Sequence, residues 1–88
     1  MSEYMIQFFD SNRAERIQAT PRMATLVFSA LCNYYDMDTS RIKITDDENG
    51  EFCRAFITDE HGDCLGMIAR SDTLEARASE YINKTLKQ

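Results

Sequence analysis

The sequence contains little of the chemistry that catalysis and cofactor binding use. It has no tryptophan, one histidine, one proline and three glycines. The glycines, at positions 50, 62 and 66, belong to two turns and a strand, so they form no glycine-rich phosphate loop. His61 lies in a turn beside Gly62 and lacks the oriented partner that nucleophilic or acid–base catalysis requires. We therefore predict a non-enzymatic protein with neither a catalytic residue nor a cofactor.

Cysteine is scarce too, and its three positions do not form pairs. Cys32, Cys53 and Cys64 lack the even number and paired spacing of a disulfide framework, which favours a reducing compartment. We expect them to be small core residues of a cytoplasmic protein. Cys53, His61 and Cys64 supply only three irregularly spaced ligands, whereas structural zinc sites use four. The sequence therefore predicts no metal site.

Long apolar runs and clustered positive charge are absent as well. No stretch approaches the roughly 18–20 apolar residues of a membrane-spanning helix, and the first residues carry no basic leader. The formal net charge is −5, from 10 Lys and Arg against 15 Asp and Glu. Affinity for phosphate backbones and for anionic lipid comes from clustered Lys and Arg. We therefore expect neither membrane association nor general binding of nucleic acid.

The 88 residues suffice for one domain, and nothing in them indicates a linker. With 43% hydrophobic and 28% charged residues, the composition is that of a folded chain. Tyr4 to Phe9 is short and aromatic and is followed by a turn, which predicts a strand. Residues 13–19 are ambiguous, because Ile17 and Ala19 alternate with polar neighbours as in a strand, whereas Ser11 would cap a short helix. We favour the strand.

The first helix is predicted from Thr20-Pro21, where threonine caps the helix and proline loses no hydrogen bond. Apolar residues then recur at three- and four-residue spacing to about residue 36, and we predict that this stripe faces the core. Its members are Met23, Leu26, Val27, Ala30, Leu31 and Tyr34. A second, narrower stripe of Phe28, Cys32 and Tyr35 becomes a candidate contact surface if it is exposed.

The last helix begins with Asp72, which is followed three residues later by Glu75 as in a capping box. Its predicted apolar stripe is Leu74, Ala78, Tyr81, Ile82, Thr85 and Leu86. With the strands described next, the element order is β-(β)-α-β-β-β-α. We therefore predict an α+β fold with an antiparallel sheet of four to five strands and two helices.

Three strands lie between the two helices, joined by turns at Asn49-Gly50 and His61-Gly62. In these hairpins, paired residues whose numbers add to an odd value lie on one side of the sheet. One side collects small and β-branched residues and is the predicted core face: Ile42, Ile44, Cys53, Ala55, Ile57, Cys64, Gly66 and Ile68. The other side is apolar in its middle: Lys43, Thr45, Phe52, Arg54, Phe56, Thr58, Leu65, Met67 and Ala69.

This second side raises the question of what covers it. Leaving large apolar side chains in water would cost roughly 1.5–3 kcal/mol each. Either the chain covers the side with its own helix or N-terminal hairpin, or a partner does so. Our functional hypothesis is the second: a small acidic protein-interaction module that binds another protein, or a second copy of itself as a homodimer. The predicted partner-binding residues are Phe52, Arg54, Phe56, Leu65 and Met67.

Two other functions fit the same residues. Phe52, Arg54 and Phe56 would also form a stacking platform for single-stranded nucleic acid. The helix-β-β-β-helix order of residues 21–86 is similar to that of double-stranded RNA-binding domains, although the last helix lacks the lysine cluster that contacts phosphates there. Small acidic chains of this length also include phage-encoded inhibitors, anti-CRISPR proteins among them. A third hypothesis is therefore an inhibitor that blocks a host or defence complex.

Overall fold

A computed structural model describes residues 1–10 and 13–86 of the chain. The predicted α+β fold with an antiparallel sheet and two helices is confirmed, and residues 13–19 form a strand. Ser11, the candidate cap of the alternative helix, lies outside the described residues. The elements are β1 (Ser2–Phe8), β2 (Arg13–Ala19), α1 (Pro21–Tyr34), a short 3-10 helix (Thr39–Arg41), β3 (Ile42–Asp46), β4 (Phe52–Thr58), β5 (Cys64–Arg70) and α2 (Leu74–Leu86).

The five strands form one sheet in the order β2-β1-β5-β4-β3, and each neighbouring pair is antiparallel. The N-terminal hairpin joins the β3-β4-β5 meander through the pairing of β1 with β5, in which Ile6 is opposite Ile68. Gly50 and Gly62 adopt positive φ angles of 79° and 85° in the two turns of the meander, which glycine does without steric cost. β2 and β3 are the edge strands.

Helix α1 covers one side of the sheet. The Thr20 side chain caps it by accepting a hydrogen bond of 3.2 Å from the Met23 backbone N–H, as predicted. The side chains that α1 buries are small or flat, which permits close packing on the strands. Ala24, Phe28 and Cys32 pack on the main core cluster, which includes Tyr4, Ile6, Phe8, Ala55, Ile57 and Ile68.

The apolar stripes of α1 are thus buried differently from the prediction, in which the wide stripe faces the core. Phe28 and Cys32, from the narrower stripe, are buried, while Tyr35 is half exposed. Of the wide stripe, only Val27 and Leu31 pack partly against the core. The other four members face away from the sheet: Met23, Leu26, Ala30 and Tyr34.

Helix α2 covers the other side of the sheet. Ala76 packs against Met5, Met67 and Ala69, and the buried Ser79 hydroxyl donates a hydrogen bond to the side-chain oxygen of Gln7 on β1. This side is thus covered by the chain's own helix. The second face of the sheet, whose cover the sequence left open, is not an open apolar surface.

The start and the apolar stripe of α2 also differ from the prediction. Thr73, not Asp72, caps the helix: its hydroxyl oxygen accepts a hydrogen bond of 3.3 Å from the backbone N–H of Ala76. The Asp72 carboxylate instead accepts a hydrogen bond from Arg70. In the described part of the predicted stripe, the side chains face outward: Leu74, Ala78 and Tyr81. The side chains of Ile82, Thr85 and Leu86 lie outside the described residues.

Two β-bulges limit the predicted alternation of the meander. In its centre the register is as expected, with Ile44 opposite Ala55 and Phe56 opposite Met67. The register shifts once between β3 and β4, near Phe52, and once between β4 and β5, near Leu65. Because a one-residue shift moves side chains to the other face, both residues pack with the α1 cluster. Their predicted placement on the second side was wrong.

Candidate interaction surface

The five predicted partner-binding residues do not form one exposed surface. Phe52 is buried, and its ring stacks on Tyr4 with centroids 5.6 Å apart, on the α1 side. Leu65 is partly buried on the same side. Met67 lies beneath α2 with only 4% of its surface exposed. Phe52 and Phe56 pack in different clusters, so they do not form the stacking platform that the nucleic-acid hypothesis requires.

Arg54 and Phe56 remain partly exposed on the second side. Phe56 lies between Lys43 on β3 and Met67 on β5 and packs against the α2 cluster. The Arg54 Nε atom lies 3.5 Å from a carboxylate oxygen of Glu75 in the first turn of α2. Both side chains are therefore engaged in holding α2 on the sheet.

Among the described side chains, a group of exposed apolar residues lies instead on the outward side of α1. We refer to four residues together as the outer face of α1: Met23, Leu26, Ala30 and Tyr34. Met23 and Leu26 are 51% and 54% exposed, and Tyr34 is 79% exposed. Spacings of three, four and four residues place all four on one side of the helix. Exposed apolar residues occur singly on all proteins, but a contiguous group is characteristic of contact sites.

Charge is almost absent from α1. The segment PRMATLVFSALCNY contains one charged residue, Arg22, in its first turn. By comparison, α2 (LEARASEYINKTL) contains four: Glu75, Arg77, Glu80 and Lys84. A helix that lies on the surface of an acidic domain ordinarily carries charges on its outward side. Depletion of charge together with Met and Tyr is the composition of an interface core.

A chain of aromatic rings fixes the C-terminal end of this surface. Phe28 stacks on Phe8 at 5.8 Å, Phe8 meets Tyr35 edge-on at 5.1 Å, and Tyr35 meets Tyr34 edge-on at 5.2 Å. The rings lead from the core to the exposed Tyr34. Because its neighbour ring is held by the core, Tyr34 presents an aromatic surface that loses little freedom on binding.

The two ends of the outer face differ in charge. Arg22 is exposed at the beginning of α1, where the helix dipole is positive. Asp36 and Asp38 are exposed just beyond its C-terminal end. Asp36 has a φ of 59° and ends the helix, and Asp38 caps the following 3-10 helix through Ser40. Asp38 is ion-paired with Arg41 at 3.5 Å, so Asp36 supplies the negative charge at this end. An apolar strip about 16 Å long, from Met23 to Tyr34 at 1.5 Å per residue, thus lies between Arg22 and Asp36.

The main polar cluster of the described residues surrounds Arg70 at the end of β5. Its guanidinium donates hydrogen bonds to Asp72 at 2.7 Å and to Asp47 at 2.9 Å. The hydrogen bond from Arg70 lowers the pKa of Asp47, and it lowers the pKa of Asp72 as well. The cluster ties the β3–β4 turn to the start of α2, and its single guanidinium is shared by the carboxylates of Asp47 and Asp72.

The cysteines and the histidine do not converge. Within residues 1–10 and 13–86, no three side chains of His, Cys, Asp or Glu are grouped so that they could hold a metal ion. Cys32 is fully buried, and burial raises the pKa of its thiol to about 11. Cys64 is exposed at the start of β5, and the Cys53 thiol donates to the backbone oxygen of Thr45.

Comparison of the chain with protein-family models, with curated proteins and with solved structures finds no match. In the part of the chain that the structure describes, neither helix is long and apolar enough to cross a membrane. The function of this protein must therefore be inferred from its own structure.

The sequence contained a signal for the outer face of α1, which the periodicity alone did not reveal. Both stripes of α1 are apolar, so the helical period does not distinguish the side that faces the sheet. The distinguishing features are side-chain size and charge. The buried stripe contains the small Ala24 and Cys32, which permit close packing on strands, and the helix as a whole has a single charge.

Proposed function

We propose that this protein acts by binding another protein molecule through the outer face of α1. The observation that carries the proposal is the exposure of Met23, Leu26 and Tyr34 on a helix with one charged residue. Burial of such a side chain contributes roughly 1.5–3 kcal/mol. Covering the surface is therefore favourable for any partner with a complementary apolar face.

A binding role is preferred to catalysis because of where the polar groups lie. His61 projects from an exposed turn, with its imidazole 3.5 Å from the Glu60 carboxylate. The Arg70 cluster is an ion-pair network that joins two turns at the surface and lines an open, mostly polar pocket. Neither offers the combination of an apolar pocket and convergent polar groups that substrate sites have. The proposed protein is a non-enzymatic interaction module.

A protein partner is preferred to nucleic acid because of the charge around the surface. Stacking platforms for single strands combine aromatic rings with a positively charged groove. The outer face of α1 itself carries no charge, Arg22 is the one charged residue of the helix, and Asp36 and Asp38 follow Tyr34 by two and four residues in the chain. Asp38 is ion-paired with Arg41 at 3.5 Å, so the exposed Asp36 carboxylate is the charge after the aromatic end that would repel phosphates.

Site-specific photo-cross-linking tests this proposal. The photoreactive residue p-benzoylphenylalanine is introduced in place of Leu26, and separately in place of Ile44, and each chain is irradiated in the cells that naturally produce it. Ile44 is the matched control, because it has the same 54% exposure but lies on edge strand β3. We expect a discrete protein adduct from position 26 and none from position 44. Absence of an adduct at position 26 would contradict the proposed function.

A further inference from the structure

We propose that a second copy of this chain occupies the outer face of α1, with the two α1 helices antiparallel across a two-fold axis. This inference rests on the proposed function, since it identifies the partner of the same surface. A two-fold interface uses one patch twice, so the patch must be complementary to itself in charge and shape. The outer face of α1 has three properties that meet this requirement.

The first property is the distribution of charge over the chain. With a net charge of −5, two copies repel each other across most of their surfaces. None of the four residues of the outer face is charged, and α1 contains no acidic residue. A basic partner would be recognised by carboxylates within the contact surface. An acid-free apolar strip is instead matched by another strip of the same kind.

The second property is the opposite charge of the two ends. In an antiparallel arrangement, Arg22 of each copy lies near Asp36 of the other, so two ion pairs form at the rim. The helix dipoles are also opposed, which is favourable. A parallel arrangement would place Arg22 beside Arg22 and Asp36 beside Asp36. Charge therefore selects the antiparallel orientation.

The third property is the order of side-chain sizes along the strip. Pairing Arg22 with Asp36 places the two-fold axis near residue 29, halfway between them. Ala30, the smallest member of the outer face, is next to this axis and permits close approach of the two helices. Met23 then lies beside the partner's Tyr34 end, where the sulfur of methionine contacts aromatic rings favourably.

The size of the surface sets the expected affinity. Stable interfaces bury about 800 Å² from each partner, and smaller ones are typical of weak complexes. One 14-residue helix face is smaller than this. We therefore expect a dimer that dissociates on dilution, with a dissociation constant between about 1 μM and 1 mM.

Sedimentation equilibrium over a dilution series up to about 1 mM tests the presence of the dimer. We expect a mass that approaches twice that of the chain at the highest concentration. Leu26→Asp should remain a monomer throughout, whereas Ile44→Asp, the control with equal exposure, should dimerise like the native chain. A native chain that is monomeric at every concentration, or a dimer that Leu26→Asp leaves unchanged, would overturn the inference.

Disulfide trapping tests the orientation. In a Cys64→Ser background, which removes the exposed thiol, Ala30→Cys lies next to the two-fold axis and should form a disulfide with its own copy. Met23→Cys is six residues from the axis, so two copies are about 18 Å apart along the helices and should not cross-link. Equal trapping at both positions would indicate parallel helices and contradict the proposal.

The two proposals fail separately. A monomeric native chain, together with a cross-link from position 26 to a different protein, would contradict the proposal that the partner is a second copy. The proposed function would then still hold. A monomer without any cross-link at position 26 would overturn both.

Discussion

Leu26 and Phe28 are two positions apart in α1, yet one is 54% exposed and the other 1% exposed. Phe28 is stacked on Phe8 in the core, whereas Leu26 faces away from the sheet. Both belong to apolar stripes with regular helical spacing. Their opposite burial divides α1 into a side that stabilises the fold and a side that is free to bind.

This division predicts opposite effects of substitution on stability. Phe28→Ala should lower the free energy of unfolding by about 3–5 kcal/mol, because it removes a buried ring and leaves a cavity. Leu26→Asp should change it by less than about 1 kcal/mol, since the side chain contacts little of the core. Urea denaturation at low protein concentration, where the chain is monomeric, measures both. A large loss for Leu26→Asp would mean that the side chain belongs to the core.

The hydrogen bond from the Tyr4 hydroxyl to the Phe52 backbone oxygen, 2.9 Å long, yields a second prediction. Tyr4→Phe retains the buried ring but removes the donor, so it should cost about 1–2 kcal/mol of unfolding free energy. Tyr34→Phe is the matched control and should cost nothing measurable, because Tyr34 is exposed. Chemical denaturation of the two variants makes the comparison. Equal stabilities would show that the hydroxyl of Tyr4 contributes no net stabilisation.

The hydrogen bond between Arg70 and Asp47 predicts a loss of stability in acid. This bond lowers the pKa of Asp47 below the ordinary value of 3.8, so the folded chain binds the proton less readily than the unfolded chain. The stabilisation of the folded chain by this hydrogen bond is complete above pH 3.8. It is lost as the pH falls through the lower pKa that Asp47 has in the folded state.

Asp47→Asn tests this dependence. The variant should be less stable than the native chain at neutral pH, and the difference should narrow as the pH falls below 3.8. Asp46→Asn, one position earlier at an exposed site, is the control. Thermal unfolding at a series of pH values measures the difference. A constant difference between native chain and Asp47→Asn across the range would contradict the linkage.

The cysteines should differ in reactivity toward iodoacetamide at pH 8. Burial raises the pKa of the Cys32 thiol to about 11 and removes it from solvent, so it should be labelled only through unfolding. Cys64 is exposed and should be labelled first, although partial burial of its thiol also raises its pKa. Mass spectrometry of timed digests gives both rates. Equal rates would mean that the α1 side of the sheet is open to solvent.

Much of the fold follows from local features of the sequence. Thr20-Pro21 begins a helix because of capping and the fixed φ of proline, and Asn49-Gly50 forms a turn because glycine tolerates positive φ. The centre of the meander has the predicted odd-sum register, with Ala55 opposite Ile68. These features depend on neighbouring residues only, which is why the sequence is sufficient to predict them.

The positions of Phe52 and Leu65 could not be predicted by alternation. Each lies where a bulge shifts the register, and a single shift changes the face of the residues beyond it. The bulges are stabilised by tertiary contacts, such as the stacking of Phe52 on Tyr4 from a strand 48 positions away. Assigning faces from the alternation of residues along a strand takes no account of such tertiary contacts.

The contact surface was predicted on the sheet rather than on α1 for a related reason. The predicted surface was the second side of the sheet, but Met67 lies there beneath α2, whose buried residues among the described side chains are the small Ala76 and Ser79. The exposed surface is formed by a stripe of α1 that was predicted to be core. Among the described residues, small side chains of both helices contact the sheet, Ala24 and Cys32 in α1 and Ala76 and Ser79 in α2, and they allow close packing.

The central claim is that the outer face of α1 is the contact surface for a second copy of the chain, and amide chemical shifts recorded over a dilution series test it most directly. Backbone N–H signals of residues 22–36 should change with concentration, most strongly for Leu26 and Ala30, while those of β3 around Ile44 stay constant. Concentration-dependent shifts confined to β3 or to the Arg54–Phe56 side of the sheet, with α1 unchanged, would contradict the claim.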